Sequence, residues 1–200
     1  MKQFSDVTAI VLAGGRGSRM GGQDKGLVEL AGRPMVTFVL AALAPQVGNI
    51  VVNANRNLAR YAEFGHAVVS DQDTGYLGPL AGMLCGARAA RTEFVVTAPC
   101  DSPLIPSDFT DRLYRARVDV NADICVAHDG ERAQPVFCLM RRTLAESIAA
   151  FLETGERKID RWFAKHQTTY ASFADKAELL LNVNRISELG ELEAKLLEKG

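Results

Sequence analysis

The feature that most restricts the fold is a short apolar run followed at once by a glycine-rich segment. Residues 7–12 are almost entirely apolar, and six of the 17 glycines follow between Gly14 and Gly26. A strand that is apolar along its length is buried on both faces, as in a parallel sheet covered by helices. Because glycine permits positive φ angles and close approach to a ligand, the segment predicts a ligand-binding turn at the carboxyl end of the first strand.

Similar apolar runs alternate with helical stretches along the rest of the chain. Strands are predicted at residues 7–12, 49–53, 67–69 and 94–97, in a hairpin of 124–127 with 135–139, and near 169–173. Helices are predicted at residues 34–43, 58–64, 79–91, 106–118, 142–151, 158–165 and from 186 onward. This alternation is typical of an α/β fold with a mainly parallel central sheet and helices on both faces.

Composition excludes several classes of protein. The 23 basic and 24 acidic side chains give a net charge of -1, whereas domains that hold nucleic acid by bulk charge are usually basic. The apolar runs are far shorter than the ~20 residues of a membrane-spanning helix. The four cysteines are widely spaced and predict neither a zinc site nor a disulfide framework. We therefore expect no nucleic acid or membrane partner and a reduced, cytoplasmic setting.

The glycine-rich segment also carries cations. Arg16, Arg19 and Lys25 lie among the glycines, with Asp24 as the counter-charge. Backbone N–H groups in such a turn can point at phosphate oxygens. This combination predicts an anion site, whereas the alternative is a flexible surface loop.

Two common phosphate-binding motifs do not fit this segment. A P-loop needs a lysine directly after its second glycine, and Gln23 and Leu27 occupy the two positions where it would stand. A dinucleotide fingerprint starting at Gly15 needs a third glycine, and Met20 occupies that position. The segment is therefore neither an ordinary NTPase loop nor an NAD site.

Residues 12–25 have the form L-A-G-G-x-x-x-R-M-G-x-x-D-K, and this resembles the opening motif of the molybdenum cofactor guanylyltransferases. Residues 78–82, residues 99–106 and Asn182-Val183-Asn184 are similar to later motifs of that family. The resemblance covers about the whole chain. It implies a Rossmann-like, three-layer nucleotidyltransferase fold as a single domain over residues 1–200, with 1–105 binding the nucleotide and 106–200 holding the acceptor substrate.

The resemblance implies transfer of GMP from GTP to the terminal phosphate of molybdopterin or Mo-molybdopterin, with release of pyrophosphate. Molybdoenzymes or their chaperones are candidate recipients of the product. A phosphomonoester has a second pKa of about 6, so the nucleophile is an anion at neutral pH and needs no general base. The alternatives are a related nucleotidyltransferase that uses CTP or a sugar phosphate, a non-catalytic nucleotide-binding module and a structural protein.

Phosphoryl-type transfer depends mainly on positioning and charge stabilisation. The resemblance implies that Arg19 and Lys25 neutralise the triphosphate as catalytic residues, together with Asp101. Asp101 would also hold Mg²⁺, which typically takes one or two carboxylates plus phosphates and water; the alternative is a cap on the next turn. The residues that the resemblance assigns to GTP binding are Leu12, Ala13, Gly14, Gly15, Lys25, Asn53, Asp71 and Asp101.

Polar residues elsewhere complete the predicted site. Asn53 and Asp71 end predicted strands, where a carboxylate can accept the N–H donors of guanine; the alternative is that each starts a turn. The family's pterin-holding segment corresponds to Asn182 and Asn184, although Asn184 also suits a helix N-cap. Arg157 is a candidate contact for the pterin phosphate, with a solvated charge pair as the alternative.

Overall fold

The computed structural model describes residues 3–15, 22–71, 78–180, 182–183, 188–190 and 192–193. The strands are β1 (Phe4–Leu12), β2 (Glu29–Leu30), β3 (Arg33–Pro34), β4 (Val47–Asn53), β5 (Ala67–Val69), β6 (Phe94–Pro99), β7 (Ile124–His128), β8 (Ala133–Arg141) and β9 (Thr168–Ser172). The α-helices are α1 (Met35–Leu43), α2 (Leu58–Ala62), α3 (Pro79–Ala89), α4 (Phe109–Asp119), α5 (Ala145–Glu153) and α6 (Ile159–Phe163). Short 3₁₀ helices occur at Lys25–Leu27, Arg142–Leu144 and Ala174–Leu180.

Seven strands form one sheet in the order β5-β4-β1-β6-β8-β7-β9. Strands β5, β4, β1 and β6 are mutually parallel, β7 and β9 are parallel to each other, and β8 is antiparallel to both of its neighbours. This mainly parallel α/β sheet confirms the predicted fold class. The register places Leu12 beside both Asn53 and Pro99, so the carboxyl ends of β1, β4 and β6 meet at one edge.

The sheet is covered on both faces because successive strand residues point to opposite cores. In β1, Ala9 and Val11 belong to a core that includes residues of α1 and α4. Ile10 belongs to a second core, with residues of α3, α5 and α6. Trp162 is fully buried in that second core. Full burial of a side chain of Val or Leu size contributes about 1.5–3 kcal/mol, so both cores stabilise the sheet that carries this edge.

A short hairpin with a two-residue turn precedes α1, and the sequence did not predict it. Strands β2 and β3 are antiparallel, and both turn residues, Ala31 and Gly32, have positive φ angles of 48° and 73°. This is the combination that a tight hairpin turn requires. The prediction that Pro34 opens the helix is wrong by one residue, because Pro34 pairs with Glu29 in β3 and α1 begins at Met35. Strands of two residues are too short to show a periodic pattern.

The ends of the helices differ from the predictions by a few residues. Helix α3 ends at Ala89 because Ala90 has extended backbone angles. The predicted helix at 142–151 begins as a 3₁₀ turn before α5. The predicted start of the last helix, Ile186, lies outside the described residues, although residues 188–190 and 192–193 are helical. Within the described part of the chain, no helix is long and apolar enough to cross a membrane.

Candidate active site

The turn that follows β1 is anchored to both neighbouring strands. The Ala13 N–H donates to the Asn53 carbonyl oxygen at 2.7 Å, and the Cys100 N–H donates to the Leu12 carbonyl oxygen at 3.0 Å. These bonds extend the parallel ladders past the ends of the strands. The turn therefore leaves the sheet between the ends of β4 and β6, at the edge where open α/β sheets bind ligands.

The two glycines of this turn have different surroundings. A Cβ atom on Gly14 would lie 2.8 Å from the Asn55 Nδ2 atom, so any side chain there would displace Asn55. Among the residues that the structure describes, none comes within 4 Å of a Cβ atom placed on Gly15. The outer side of the turn at Gly15 is thus open space that a ligand can reach.

Lys25 and Asp101 form an ion pair at the end of β6. The Lys25 Nζ atom lies 2.8 Å from the Asp101 Oδ2 atom, and the two side chains are 22% and 9% exposed. Asp101 follows β6 by two residues, and Lys25 begins a 3₁₀ helix. The structure thus brings together two residues that the sequence assigned to the same site, and it places a cation beside a carboxylate able to bind a metal.

On the other side of the turn, the Asp71 carboxylate is held by two amides. The Asn53 side chain donates to Asp71 Oδ1 at 2.9 Å, and the Asn55 side chain donates to Oδ2 at 2.7 Å. The Asn55 Oδ1 atom also accepts the Asp71 backbone N–H at 2.9 Å. Asn53 is almost fully buried, and a Cβ atom on Gly82 would overlap its Oδ1 atom. We call Asn53, Asn55 and Asp71 the amide–carboxylate cluster.

Asp24, which precedes Lys25, is held by Tyr61 in α2 and by Asn57 directly before α2. Its Oδ1 atom accepts the Tyr61 hydroxyl at 2.6 Å, and its Oδ2 atom accepts the Asn57 amide at 3.0 Å. Burial raises the pKa of Tyr61, and the hydrogen bond to the Asp24 carboxylate raises it further. The phenol therefore stays protonated and donates to Asp24.

Cys100 lies beneath the site and is not a nucleophile. Burial and the adjacent Asp101 carboxylate raise the pKa of its thiol. A thiol reacts as the thiolate, so a buried, neutral Cys100 is inert and acts as packing.

The C-terminal segment reaches the same edge of the sheet. The Val183 N–H donates to the Asp101 carbonyl oxygen at 2.8 Å, and the Ser102 hydroxyl donates to the Asn182 Oδ1 atom at 2.6 Å. Asn182, assigned to the pterin from the sequence, is therefore a neighbour of Asp101.

Another predicted residue, Arg157, is not joined to this edge. Arg157 lies between α5 and α6, and its Nη1 atom donates to the carbonyl oxygens of Leu152 and Glu156, both at 2.7 Å. These contacts belong to its own turn. Arg19 and Asn184 lie outside the described residues, so their predicted roles stay predictions.

Comparison with known proteins agrees with this geometry. The MobA-like NTP transferase domain family matches residues 9–169. Proteins named molybdenum cofactor guanylyltransferase are similar to the chain: 49% identical over 178 residues in Shewanella sediminis, covering 89% of this chain and 91% of the relative, and 48% identical over 190 residues in Shewanella sp. strain MR-4, covering 95% and 96%. The chain belongs to the molybdenum cofactor guanylyltransferase family.

A solved structure supports the fold of this guanylyltransferase family member. Molybdopterin-guanine dinucleotide biosynthesis protein A from Archaeoglobus fulgidus superimposes with a TM-score of 0.78 at 21% identity, covering 96% of this chain and 100% of that chain. The family membership makes the chain a nucleotidyltransferase, as predicted.

Several residues that support the site of this guanylyltransferase were not predicted from its sequence. Three of these residues follow β4: Asn55 donates to Asp71 within the amide–carboxylate cluster, Arg56 binds the glycine-rich segment, and Asn57 binds Asp24. Tyr61 in α2 also binds Asp24. The signal was present in residues 53–57, where four of five residues are polar directly after a buried strand. Such a run at the carboxyl end of a parallel strand is typical of a ligand edge.

Proposed function

We propose that this guanylyltransferase transfers GMP from GTP to the terminal phosphate of molybdopterin or Mo-molybdopterin and releases pyrophosphate. The observation that carries the proposal is the arrangement around the open turn after β1. The Lys25–Asp101 pair lies towards β6, and the amide–carboxylate cluster lies towards β4. This separation suits one nucleotide, with its phosphates on one side and its base on the other.

The triphosphate is assigned to the turn and the ion pair. Lys25 supplies the positive charge, and the backbone N–H groups of Gly14 and Gly15 supply donors near the open side of the turn. Preorganised donors of this kind stabilise charge without reorganising during the reaction. Arg19, a second cation for the same phosphates, is kept from the sequence resemblance.

The guanine base is assigned to the amide–carboxylate cluster. Asp71 uses one acceptor site of each oxygen for Asn53 and Asn55, and an ionised carboxylate has about four such sites. The remaining sites can accept the ring N–H and exocyclic amino group of guanine. Because cytosine and adenine present other donor patterns, this cluster supports GTP as the substrate.

The acceptor phosphate needs no general base from the protein. A phosphomonoester has a second pKa of about 6, so its oxygen is already anionic at neutral pH. This fits a site in which Cys100 is buried and neutral. The chain's contribution is to orient the acceptor oxygen towards the α-phosphate and to stabilise the charge that develops there.

Nucleotidyltransferases of this family typically need a divalent metal, which we assign as Mg²⁺ on Asp101. Among the described residues no cluster of three or more His, Cys, Asp or Glu side chains could hold a metal ion. Mg²⁺ typically takes only one or two carboxylates and completes its shell with phosphates and water, so a single Asp101 fits this ion. When bound, Mg²⁺ supplies positive charge to the phosphate oxygens.

The acceptor is assigned to the second half of the chain. Asn182 contacts Ser102 beside Asp101, which supports a pterin site where residues 106–200 meet the nucleotide-binding residues 1–105. Asn184 and Arg157 join this assignment from the sequence. We place the reaction in the cytoplasm, with a molybdoenzyme or its chaperone receiving the product.

A nucleotide-specificity assay tests the proposal. The purified protein is incubated with Mg²⁺, molybdopterin and one of GTP, CTP, ATP or UTP, and pyrophosphate release is measured. We expect release with GTP that depends on molybdopterin. A preference for CTP, or release with a sugar phosphate in place of molybdopterin, would refute the assignment. Binding of GTP without turnover would refute the enzymatic role.

A further inference from the structure

Arg56 joins the two ends of the glycine-rich segment. Its Nη2 atom donates to the carbonyl oxygens of Gly15 at 3.2 Å and Gln23 at 3.4 Å, and its Nη1 atom donates to the carbonyl oxygen of Gly22 at 2.9 Å. The side chain is half-buried. One guanidinium therefore bridges backbone from the β1 turn to backbone just before Lys25.

A guanidinium group suits this bridge better than the end group of any other side chain. A guanidinium is planar and presents five donors in a fixed fork, whereas an ammonium is a compact point charge without directional pairing. All three acceptors of Arg56 are main-chain carbonyls. The interaction therefore fixes backbone geometry at Gly15 and Gly22, whatever side chains lie between them.

The base of the bridge is rigid. Arg56 follows Asn53 and Ala54, which are both almost fully buried at the end of β4. The same segment holds the next part of the loop, because Asn57 and Tyr61 bind the Asp24 carboxylate. Residues 56–61 thus hold Gly15, Gly22, Gln23 and Asp24 against the sheet, directly before Lys25.

We propose that Arg56 is a positioning residue that sets the distance between the β1 turn and Lys25 for the triphosphate. The proposal rests on the proposed function, because that function places the triphosphate between these two elements. Arg56 acts through the backbone carbonyls and does not itself bind phosphate. Geometry matters at this point, because misplacing a reacting group by about 1 Å can cost about a hundredfold in rate.

Arg56→Ala, Arg56→Lys and Arg60→Ala test the proposal in the full chain. Arg60 is the matched control, because it lies one turn further along the same segment, is exposed and pairs with Glu63. For Arg56→Ala we expect kcat/KM for GTP to fall by about tenfold to a hundredfold. For Arg56→Lys we expect kcat/KM to stay within about threefold of the Arg56→Ala value, since a compact ammonium lacks the planar fork that spans the carbonyls of both ends of the segment. For Arg60→Ala we expect kcat/KM to stay within about twofold of the wild-type value, because exposed ion pairs contribute little.

Chemical rescue separates this role from a general structural one. We expect millimolar guanidinium to restore part of the activity of Arg56→Ala, and the same concentration of ammonium to restore none. Melting temperatures of all variants are compared with the wild type, and each variant is assayed below its own melting transition. Normal activity of Arg56→Ala would overturn the proposal. So would normal activity of Arg56→Lys, which would mean that the charge acts directly on phosphate, or the absence of guanidinium rescue.

Pyrophosphate release by the wild type distinguishes a failure of the proposed function from a failure of the Arg56 proposal. If it releases pyrophosphate with CTP instead of GTP, the proposed function fails, and the Arg56 series is measured with CTP. The same loss in Arg56→Ala, with guanidinium rescue, would then still support positioning by Arg56. If GTP is the substrate and Arg56→Ala is normal, only the Arg56 proposal fails.

Discussion

The Lys25 ammonium lies 2.8 Å from the Asp101 carboxylate, although 76 residues separate them along the chain. Asp101 is largely buried, and burying a charge is costly unless it is paired. Lys25 therefore compensates Asp101 before any ligand arrives. In the proposed reaction Lys25 would pair with the triphosphate and Asp101 would hold Mg²⁺, so neither charge would be left without a partner.

Replacement of Lys25 by alanine should reduce turnover. The variant loses the cation assigned to the triphosphate, and loss of one preorganised stabilising group costs about a hundredfold in many enzymes. We expect kcat to fall by at least about tenfold in a protein that still folds, as measured by pyrophosphate release and circular dichroism. Near-normal activity would show that Lys25 only balances the charge of Asp101.

The metal requirement should depend on Asp101. Asp101→Asn keeps the shape of the side chain but removes the charge that favours Mg²⁺. We expect the Mg²⁺ concentration for half-maximal activity to rise at least about tenfold, since Mg²⁺ typically takes only one or two carboxylates and the loss of one weakens its binding. Asp119→Asn, at an exposed position near the end of α4, is the control. Wild-type protein treated with EDTA should be inactive and should recover with Mg²⁺. An unchanged Mg²⁺ titration for Asp101→Asn would place the metal elsewhere.

Base selectivity should depend on Asp71. Inosine triphosphate lacks the exocyclic amino group of GTP, so the wild type should use it less well than GTP. One hydrogen bond to a charged group contributes about 1.5–3 kcal/mol, which corresponds to about tenfold or more in KM. In Asp71→Asn we expect KM for GTP to rise to the value for inosine triphosphate, with little change in kcat. Retained discrimination in this variant would remove Asp71 from base recognition.

Acid stability should depend on Asp129 in the β7–β8 turn. Backbone hydrogen bonding from Arg132, followed by the Gln134 amide, lowers the pKa of Asp129 from 3.8 to about 2. Because the folded-state pKa is below the unfolded value, this group stabilises the fold at pH values above about 4. The stabilisation is lost as the pH falls through about 2.

Asp129→Asn isolates this contribution. The free energy of unfolding in urea is measured for both proteins between pH 7 and pH 3. We expect the wild type to be more stable above pH 5, with a gap that narrows as the pH falls below about 4. A gap that is independent of pH would show that the carboxylate charge is not the cause.

Much of the fold could be predicted because its signals are local and repeated. The apolar runs that became β1, β4 and β6 are mostly buried, so their position in a parallel sheet was visible in the sequence. Strand β5, at the edge of the sheet, is exposed or half-buried, but its apolar run was predicted as well. The hairpin of β7 and β8 was also visible, because Asp129-Gly130 separates two apolar runs. Strands β2 and β3 were missed because two residues carry no periodicity.

The supporting contacts of the site could not be predicted in the same way. The strand ends placed Asn53, Asp71 and Asp101 at one edge, because parallel strands share their direction. Arg56 and Tyr61 bind the loop through three-dimensional contacts over 33 to 41 residues of sequence separation. A single sequence records the residue types of such contacts but not their pairing.

Two glycines of α3 allow a matched pair of substitutions, one beside the base site and one in the core. A Cβ atom on Gly82 would overlap the Asn53 Oδ1 atom and lie 2.9 Å from Leu12, whereas one on Gly86 would lie 2.5 Å from Ile10 in the core. Overpacking of this kind typically costs about 1–3 kcal/mol of stability, so Gly82→Ala and Gly86→Ala should both lower the melting temperature.

Only Gly82→Ala should also impair nucleotide binding. Displacement of Asn53 removes one of the two amides that hold Asp71, whereas Ile10 lies within the sheet, two residues before the turn begins to leave it. We expect the Kd for GTP, measured by calorimetry, to rise at least about tenfold for Gly82→Ala, because the Asp71 carboxylate loses the hydrogen bond from Asn53. For Gly86→Ala it should stay within about twofold of the wild type at a temperature where both variants are folded. Equal losses of affinity in the two variants would mean that packing of α3 as a whole, rather than the position of Asn53, controls the base site.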